Sequence, residues 1–400
     1  MHNAAIIGVS GYGKTHLDLL LDQYAKKKLK IVAAVVMNAE DEKDVCLMLK
    51  QLGCRIFNSV PEMFNVMAGK IDLCLIPAPI QFHAEFAIAA LGAGANVLVE
   101  KPAAATLGEV FRIQRAAREA DRFVAVGFQD IYSAETEMLK TLILEGEIGR
   151  VRRARGWGFW PRPRAYYQRN RWAGRLRLEQ RWVLDSPLNN ALAHYLNLML
   201  YLANDSSESS VVPTAVEGEL YRSQPIESFD TASIRVSTEA GVPVSFATTH
   251  SCSRAGGPGF VIEGTKGKIH WEFEKSCIIL NRSPTKISLP ATREVRFKMM
   301  DRVVERLDKG EGRICTLELA VTHTLCINAL HAGLPIHSVG KEWVEQCREK
   351  DGTSQIVIRD VEQRIRKCFT ERCFLSESVC PWAAFPSALT IPEGFDGIKE

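Results

Sequence analysis

Residues 4–13 read AAIIGVSGYG and are followed by KTHLDLLLDQY. Ala4–Gly8 is a short apolar run that predicts a strand, and Leu17, Leu20, Leu21 and Tyr24 then recur at helical spacing. Between them lies Gly8-Val9-Ser10-Gly11-Tyr12-Gly13. Glycine at such a place lets the backbone turn tightly and approach a pyrophosphate, whose charge the helix N-terminal amides meet. The usual pattern has glycine at the positions of Gly8, Ser10 and Gly13. Ser10 departs from it, and Gly11 supplies the extra freedom. The strand–turn–helix context favours a dinucleotide turn over a simple cap.

The same alternation continues outward. Ile31–Met37, Ile71–Ile76, Asn96–Glu100 and Phe123–Gly127 predict strands, and the stretches 40–52, 82–91 and 107–120 predict helices. This is the signature of a doubly wound parallel sheet, the α/β Rossmann class. Beyond about residue 130 the pattern changes. A helix over Ala134–Leu144 precedes longer strand candidates at Val151–Phe159, Ala215–Tyr221, Ala232–Ser237, Val242–Thr249, Phe260–Glu263 and Lys268–Phe273, with helices at 188–202 and 316–332. Short turns between the strands suit hairpins, so the second half reads as an α+β domain on a large open, mostly antiparallel sheet. The expected division is a dinucleotide-binding domain over 1–128, a substrate and oligomerisation domain over 129–385, and a loose tail over 386–400.

Hydrophobic content of 46%, charged content of 24% and a net charge of +3 describe an ordinary globular chain, with no global attraction to nucleic acid or membrane. The N-terminus shows no secretory pattern, and no run of eighteen apolar residues occurs. Eleven cysteines without CxxC pairs imply reduced thiols and a cytoplasmic protein, with no metal site expected. The residue at the end of the second strand is Asn38 rather than an acid. Asparagine can bond a ribose hydroxyl but does not repel a 2′-phosphate, so NAD is the expected cofactor with NADP not excluded.

Asn96-Val97-Leu98-Val99-Glu100-Lys101-Pro102 sets a lysine at the C-terminal end of a parallel strand, where ligands of open α/β sheets bind. The sequence here resembles the glucose–fructose oxidoreductase and inositol dehydrogenase family (Gfo/Idh/MocA). The resemblance rests on the turn at 8–13, Pro77-Ala78-Pro79 with His83, the Glu100-Lys101-Pro102 element, Val126-Gly127-Phe128, and the helix bearing His194. It implies cofactor contacts at Gly8, Ser10, Gly11, Tyr12, Gly13, Asn38, Pro77, His83, Glu100 and Lys101. It also implies that Lys101 lies near the nicotinamide and the reacting hydroxyl, and that the sheet of the second domain supports a homodimer or homotetramer.

Ser186-Pro187 reads as a helix start. Asn190, His194, Asn197 and Tyr201 then share one helical face on an otherwise apolar helix. Family members usually show Asp-x-Gly-x-His here, the histidine acting as general base or hydroxyl anchor. This chain keeps His194 but has Asn190 for the aspartate and Leu192 for the glycine, with Asn197 at a third position that is often aspartate. Asparagine cannot accept a proton, so acid–base work falls to His194 and Lys101, with Asp185 either a substitute carboxylate or a charge placed at the helix N-terminus by its dipole.

Between Arg150 and Arg181 there are eleven arginines, one acid (Glu179) and no lysine, interleaved with aromatic residues. Aromatic faces suit sugar rings and arginine forks suit carboxylates or phosphates. Tyr167, Arg169, Arg171 and Trp172 are the candidate substrate contacts, whereas the arginines before residue 160 read as the solvated face of a strand. The expectation is an NAD(P)-dependent oxidoreductase acting on a sugar, polyol or sugar-derived molecule. Redox-neutral glycoside cleavage with retained NAD, or a non-catalytic dinucleotide-binding regulator, are the alternatives.

Overall fold

The computed structural model describes residues 1–281, 283–348, 352 and 354–398. The chain forms two compact units, one of Met1–Ser133 with Thr292–Ala320, the other of Ala134–Ala291 with the chain from Val321 onward.

The first unit is a six-stranded sheet of β1 (His2–Ile7), β2 (Leu29–Val35), β3 (Arg55–Phe57), β4 (Leu73–Ile76), β5 (Asn96–Val99) and β6 (Val124–Val126). Every pair is parallel and the order is β3-β2-β1-β4-β5-β6. Its central strands are continuous apolar runs, and all four residues of β4 are buried, as expected when helices cover both faces. The helices are α1 (Gly13–Ala25), α2 (Lys43–Gln51), α3 (Val60–Met67), α4 (His83–Gly92) and α5 (Leu107–Ala120). A capping box starts α5, with Thr106 Oγ1 accepting the Glu109 N–H at 3.3 Å and the Glu109 carboxylate accepting the Thr106 N–H at 3.0 Å. Strand order reverses between β1 and β4, which puts the ligand-binding edge at the carboxyl ends of those two strands.

This unit does not close where the sequence alone places its end. Helix α9 (Thr292–Lys309) returns to it from far along the chain. Asp301 accepts from Gln23 Nε2 at 2.7 Å and pairs with Lys26 Nζ at 3.0 Å, while Asp308 pairs with Lys28 Nζ at 3.1 Å. The N–H of Val126 on the edge strand β6 donates to the Cys315 carbonyl at 2.8 Å. These are contacts between residues nearly two hundred or more positions apart, and no local pattern announces them.

The second unit holds α6 (Ala134–Leu144), β7 (Val151–Phe159), α7 (Arg164–Gln168), a small ribbon of β8 (Arg177–Leu178) with β9 (Arg181–Trp182), and α8 (Ala193–Leu202). Strands β10 (Pro213–Arg222), β11 (Thr231–Thr238), β12 (Val244–Thr249), β13 (Gly256–Gly264), β14 (Lys268–Glu272), β15 (Ser276–Leu280) and β16 (Thr285–Ser288) follow. After α10 (Leu317–Gly333) come β17 (Ile336–Ser338), β18 (Val344–Arg348), β19 (Ser354–Ile358), α11 (Val361–Glu371) and β20 (Ser387–Thr390). The main sheet runs β16-β15-β14-β13-β7-β12-β11-β10-β17 and is mostly antiparallel, with β7–β12 and β10–β17 parallel.

Helix α8 packs on one face of this sheet. A Cβ on Gly156 would lie 2.7 Å from the Met199 sulfur, so the glycine lets strand and helix approach. On the other face Trp157, Phe159 and Ala247 form a core with Ile358, Val361, Ile365 and Cys368, so that face is covered in part by the chain's own C-terminal layer. The expected loose tail also differs, because Ser387–Thr390 pair antiparallel with β10, from Ser387↔Gly218 to Thr390↔Ala215. Residues 399 and 400 of that tail lie outside the described ones. Among the described residues no helix is long and apolar enough to cross a membrane.

Candidate active site

In the first unit the turn after β1 has the conformation that the glycines predict. Gly8 has φ +94° and Gly11 φ +56°, both in the left-handed region. A Cβ on Gly13 would sit 2.5 Å from the Gly8 carbonyl oxygen, so only glycine lets α1 begin this close to β1. A Cβ on Gly11 would meet nothing within 4 Å, which leaves approach to the turn open. Ser10 and Asn38 meet across it, with the Asn38 amide donating to Ser10 Oγ at 3.0 Å. The turn and the end of β2 thus join where a dinucleotide's pyrophosphate and adenosine ribose bind in this topology. Tyr12 is exposed and carries the Arg296 guanidinium 5.3 Å from its ring centre.

Pro77, at the end of β4, packs beside the turn, its Cγ 3.8 Å from the Gly13 Cβ position. His83 is buried between two carbonyl oxygens, with Nδ1 2.8 Å from that of Pro102 and Nε2 2.8 Å from that of Ala78, and the neutral ring donates its one N–H to one of them. Burial pushes its pKa below the usual value. The structure therefore gives His83 the work of clamping the loop after β4 to the loop after β5. Glu100 is equally constrained. Its Oε1 lies 2.8 Å from His16 Nε2 and its Oε2 accepts the Lys101 N–H at 3.1 Å. A Cβ on Gly127 would come within 2.7 Å of that carboxylate, so Gly127 makes room for it. Glu100 holds the backbone of Lys101 at the end of β5 by a buried charge. His16 and Gly127 were not candidates in the sequence, since a histidine in a helix does not reveal a partner 84 positions away.

In the second unit the polar stripe does not form as one helical face. Residues 186–192 are successive turns, and α8 begins at Ala193. Ser186 Oγ accepts the Asn189 N–H at 3.2 Å, and the Asn189 side chain donates to the Leu184 carbonyl at 3.1 Å. Such side-chain-to-backbone bonds compete with a helix ladder, so the Ser186-Pro187 signal starts a turn instead. Asn197 and Tyr201 are fully buried in the core, and the Asn197 amide has no hydrogen-bond partner among the described residues. Only Asn190 and His194 remain half-buried.

Asn190 spends its amide hydrogens on Asp185 Oδ1 at 2.9 Å and the Tyr166 hydroxyl at 3.2 Å. Asp185 is buried and also accepts the Gly174 N–H at 2.6 Å. A carboxylate thus stands beside position 190 although residue 190 is an amide. Burial, with the Asp185 charge adding to it, holds the Tyr166 phenol above its ordinary pKa and keeps it protonated. The Tyr167 hydroxyl is buried without a hydrogen-bond partner among the described residues, and burial pushes its pKa well up. Arg169 stacks on the Tyr166 ring at 3.6 Å and lies 5.6 Å from the Trp172 ring centre. Arg171 stands apart in an exposed ion pair with Glu179 at 2.8 Å. Of the neighbouring tyrosines, Tyr166 rather than Tyr167 meets Asn190, a distinction set by the short helix α7 and invisible in the sequence pair itself. Arg162 was also missed, and its guanidinium lies 4.7 Å from the Tyr166 ring centre. Among the described residues no group of three or more His, Cys, Asp or Glu could hold a metal ion.

His250 underlies this aromatic wall, its Nδ1–H donating to the Trp160 carbonyl at 2.8 Å. Burial, then the Arg162 charge, pushes its pKa down to about 3. The unfolded imidazole takes up a proton near its usual 6.5 and the folded one does not until about 3. Stability is therefore expected to be full above pH 6.5 and to fall by a few kcal/mol as pH drops towards 3. His250→Gln should flatten that part of a urea-unfolding pH profile, and an unchanged slope would refute the assignment.

Comparison with known proteins agrees with this architecture. Residues 2–128 match the model described as "Oxidoreductase family, NAD-binding Rossmann fold", and residues 136–270 match the "GFO/IDH/MocA C-terminal domain". Inositol 2-dehydrogenase of Azotobacter vinelandii is 28% identical over 211 residues, 52% of this chain and 56% of the relative. The 1-carboxy-3-chloro-3,4-dihydroxycyclo hexa-1,5-diene dehydrogenase of Comamonas testosteroni is 40% identical over 151 residues, 36% of each chain. The chain thus spans about half or less of the length of these relatives. The WlbA dehydrogenase of Bordetella pertussis, solved with NADH and UDP-GlcNAcA, is 21% identical with a TM-score of 0.67, over 82% of this chain and 95% of that one, and it supports the fold alone. With both domains of one family matched in order, the chain belongs to the Gfo/Idh/MocA oxidoreductases, a family with an NAD-binding Rossmann fold.

Proposed function

We propose that the chain is an NAD-dependent dehydrogenase of a hydroxylated ring substrate, a sugar, polyol or sugar-derived acid, with Lys101 and His194 acting on the hydroxyl that is oxidised. The observation that carries this reading is the fixed Glu100-Lys101 element beside the Gly8–Gly13 turn. A buried carboxylate clamped by His16 is a costly arrangement unless the residue it positions has work to do.

The residues fit the cofactor: the turn would receive the pyrophosphate, and Asn38, held by Ser10, a ribose hydroxyl. NAD supplies the hydride acceptor when bound. The Lys101 ammonium donates to the substrate oxygen and lowers its proton affinity. His194 takes the hydroxyl proton at Nε2, since its Nδ1 is buried. Asp185 and the Tyr166 hydroxyl hold Asn190 by its amide hydrogens and fix its orientation. A second carboxylate at position 190 would repel Asp185, which gives a physical reason for asparagine there. Arg169 with Tyr166, Tyr167 and Trp172 supplies an aromatic and cationic wall. The names of the relatives, an inositol and a carboxylated dihydroxy ring, suit that wall. Arg171, paired with Glu179 at the surface, is left out of it.

The reading includes a cytoplasmic homodimer or homotetramer without nucleic acid or membrane partners, and free thiols at all eleven cysteines support a reducing compartment. The test is calorimetric binding of NAD and NADP to the purified chain, followed by NADH formation against a panel of inositols, hexoses and uronic acids. Saturable NAD binding with net NADH from one panel member is the expected outcome. No binding, and no nucleotide released on denaturation, would remove the enzymatic reading. Tightly retained NAD with bond cleavage but no net NADH would replace it by redox-neutral glycoside chemistry.

A further inference from the structure

The arginines before residue 160 do not simply line a solvated face. Strand β7 is central in its sheet, and its residues alternate sides. Gly156 turns to α8, whereas Trp157 and Phe159 turn to the α11 layer, and Arg153 and Arg155 share their side. Arg155 is opposite Ser245 of β12, and Ser245 is opposite Arg235 of β11. Cross-strand partners share a face, so two guanidinium groups flank a small hydroxyl across three adjacent strands. Ser233, opposite Ala247, extends this floor. The end of α11 roofs it with Phe369, and Arg372 enters from the turn beyond. The result is a cavity of about 190 Å³.

The charges around it do not balance. Arg153, Arg155 and Arg372 share the single carboxylate of Glu263, at 3.6, 3.0 and 3.3 Å. Arg235 pairs with Glu217 at 3.1 Å. Four cations thus face two carboxylates. The Arg155 side chain is only 14% exposed. Burial, with Arg372 and Arg153 near, holds its guanidinium below its usual basicity, and a further negative charge would relieve that.

We propose that this cavity binds a compact polyanion, carboxylate or phosphoryl, with a negative group at each end, one met by Arg155 and Arg372, the other by Arg235, and its middle resting on Ser245. Guanidinium forks suit carboxylate and phosphoryl oxygens alike. The volume is about six times the ~30 Å³ share of a liquid water and below the ~300 Å³ at which drug-sized sites begin. That suits a tricarboxylate or a pyrophosphate. The site lies wholly within the second unit and stands whether or not the dehydrogenase reading holds.

Isothermal titration of the full chain at low salt, with citrate and with pyrophosphate in separate runs, is the test. Saturable binding of either is expected, and which one binds identifies the anionic group. Arg235→Gln and Arg372→Gln, at side chains 37% and 45% exposed, should fold normally and each weaken binding by at least about tenfold. Arg152→Gln removes the same charge from an exposed neighbour on β7 and should leave binding unchanged. No saturable heat with either anion overturns the proposal. So does equal loss in Arg152→Gln and Arg235→Gln, which would mark diffuse charge attraction. Pyrophosphate binding that survives Arg235→Gln intact would point to the glycine turn and also overturn it.

Discussion

Gly13→Ala is expected to weaken NAD binding by about a hundredfold and to destabilise the chain by about 2–3 kcal/mol. The new methyl would sit 2.5 Å from the Gly8 carbonyl oxygen and 2.9 Å from its carbon, and both are backbone atoms. A side-chain clash can be relieved by a rotamer change. A backbone clash moves α1 away from β1 and opens the very turn proposed to receive the pyrophosphate. The cost lies at the upper end of the usual overpacking range of about 1–3 kcal/mol for that reason. Misplacing a binding group by about 1 Å can cost about a hundredfold. The matched control is Gly92→Ala in α4, where a Cβ meets nothing within 4 Å and the backbone is helical. That change should be neutral or stabilising by up to ~1 kcal/mol. Urea unfolding and NAD calorimetry on the two variants measure the contrast. If Gly13→Ala binds NAD as the parent does, the turn is not the pyrophosphate site.

The readability of this turn and the obscurity of other parts share one cause. A strand–glycine–helix turn is set by neighbours within about ten residues, and its φ angles and close approach follow from residue type. Five of the six strands likewise follow from apolar runs, whereas β3 (Arg55–Phe57), three residues long and exposed at its start, and helix α3 after it do not show in that pattern. What was not legible depends on partners distant in sequence. Helix α9 belongs to the first unit because Asp301 and Asp308 meet Gln23, Lys26 and Lys28, nearly three hundred positions earlier. The strand at Ser387–Thr390 exists because the edge of β10 needs a partner, a need that nothing in a proline-bounded tail reveals. At the candidate site, Lys101 and His194 were proposed from motif and resemblance. The clamp that fixes Lys101 could not, because it joins His16, Glu100 and Gly127 across three elements. The stripe of Asn190, His194, Asn197 and Tyr201 assumed one continuous helix. Local bonds from Ser186 and Asn189 broke it into a turn bearing Asn190 and a helix that buries Asn197. The arginines of β7 show the same limit: residue type predicts charge, but only the register with Ser245 and Arg235 makes them into a cavity.

Lys101→Ala is expected to lower kcat/KM by about a thousandfold, a loss far larger than any change in NAD affinity. Positioned proton-transfer groups contribute typically about 10²–10⁴. The backbone of Lys101 is held by Glu100 through its N–H, so truncating the side chain leaves the clamp in place. His194→Ala should cost a similar factor, because a hydroxyl polarised by lysine still needs an acceptor for its proton. The decisive measurement is the double variant. If both residues act on one oxygen in one transition state, removing the second after the first costs little more, as happens for catalytic groups that work as a unit. Independent roles would instead multiply, for a combined loss near a millionfold. The pH profile separates the parts further. The acidic limb of kcat/KM should vanish in His194→Ala and persist in Lys101→Ala, since only the histidine must be neutral to take the proton. Full activity in Lys101→Ala would show that Glu100 clamps this strand end for the fold alone. Multiplicative losses with the acidic limb intact in His194→Ala would assign Lys101 and His194 to substrate binding and leave the proton to another group, with the buried carboxylate of Asp185 the first to test.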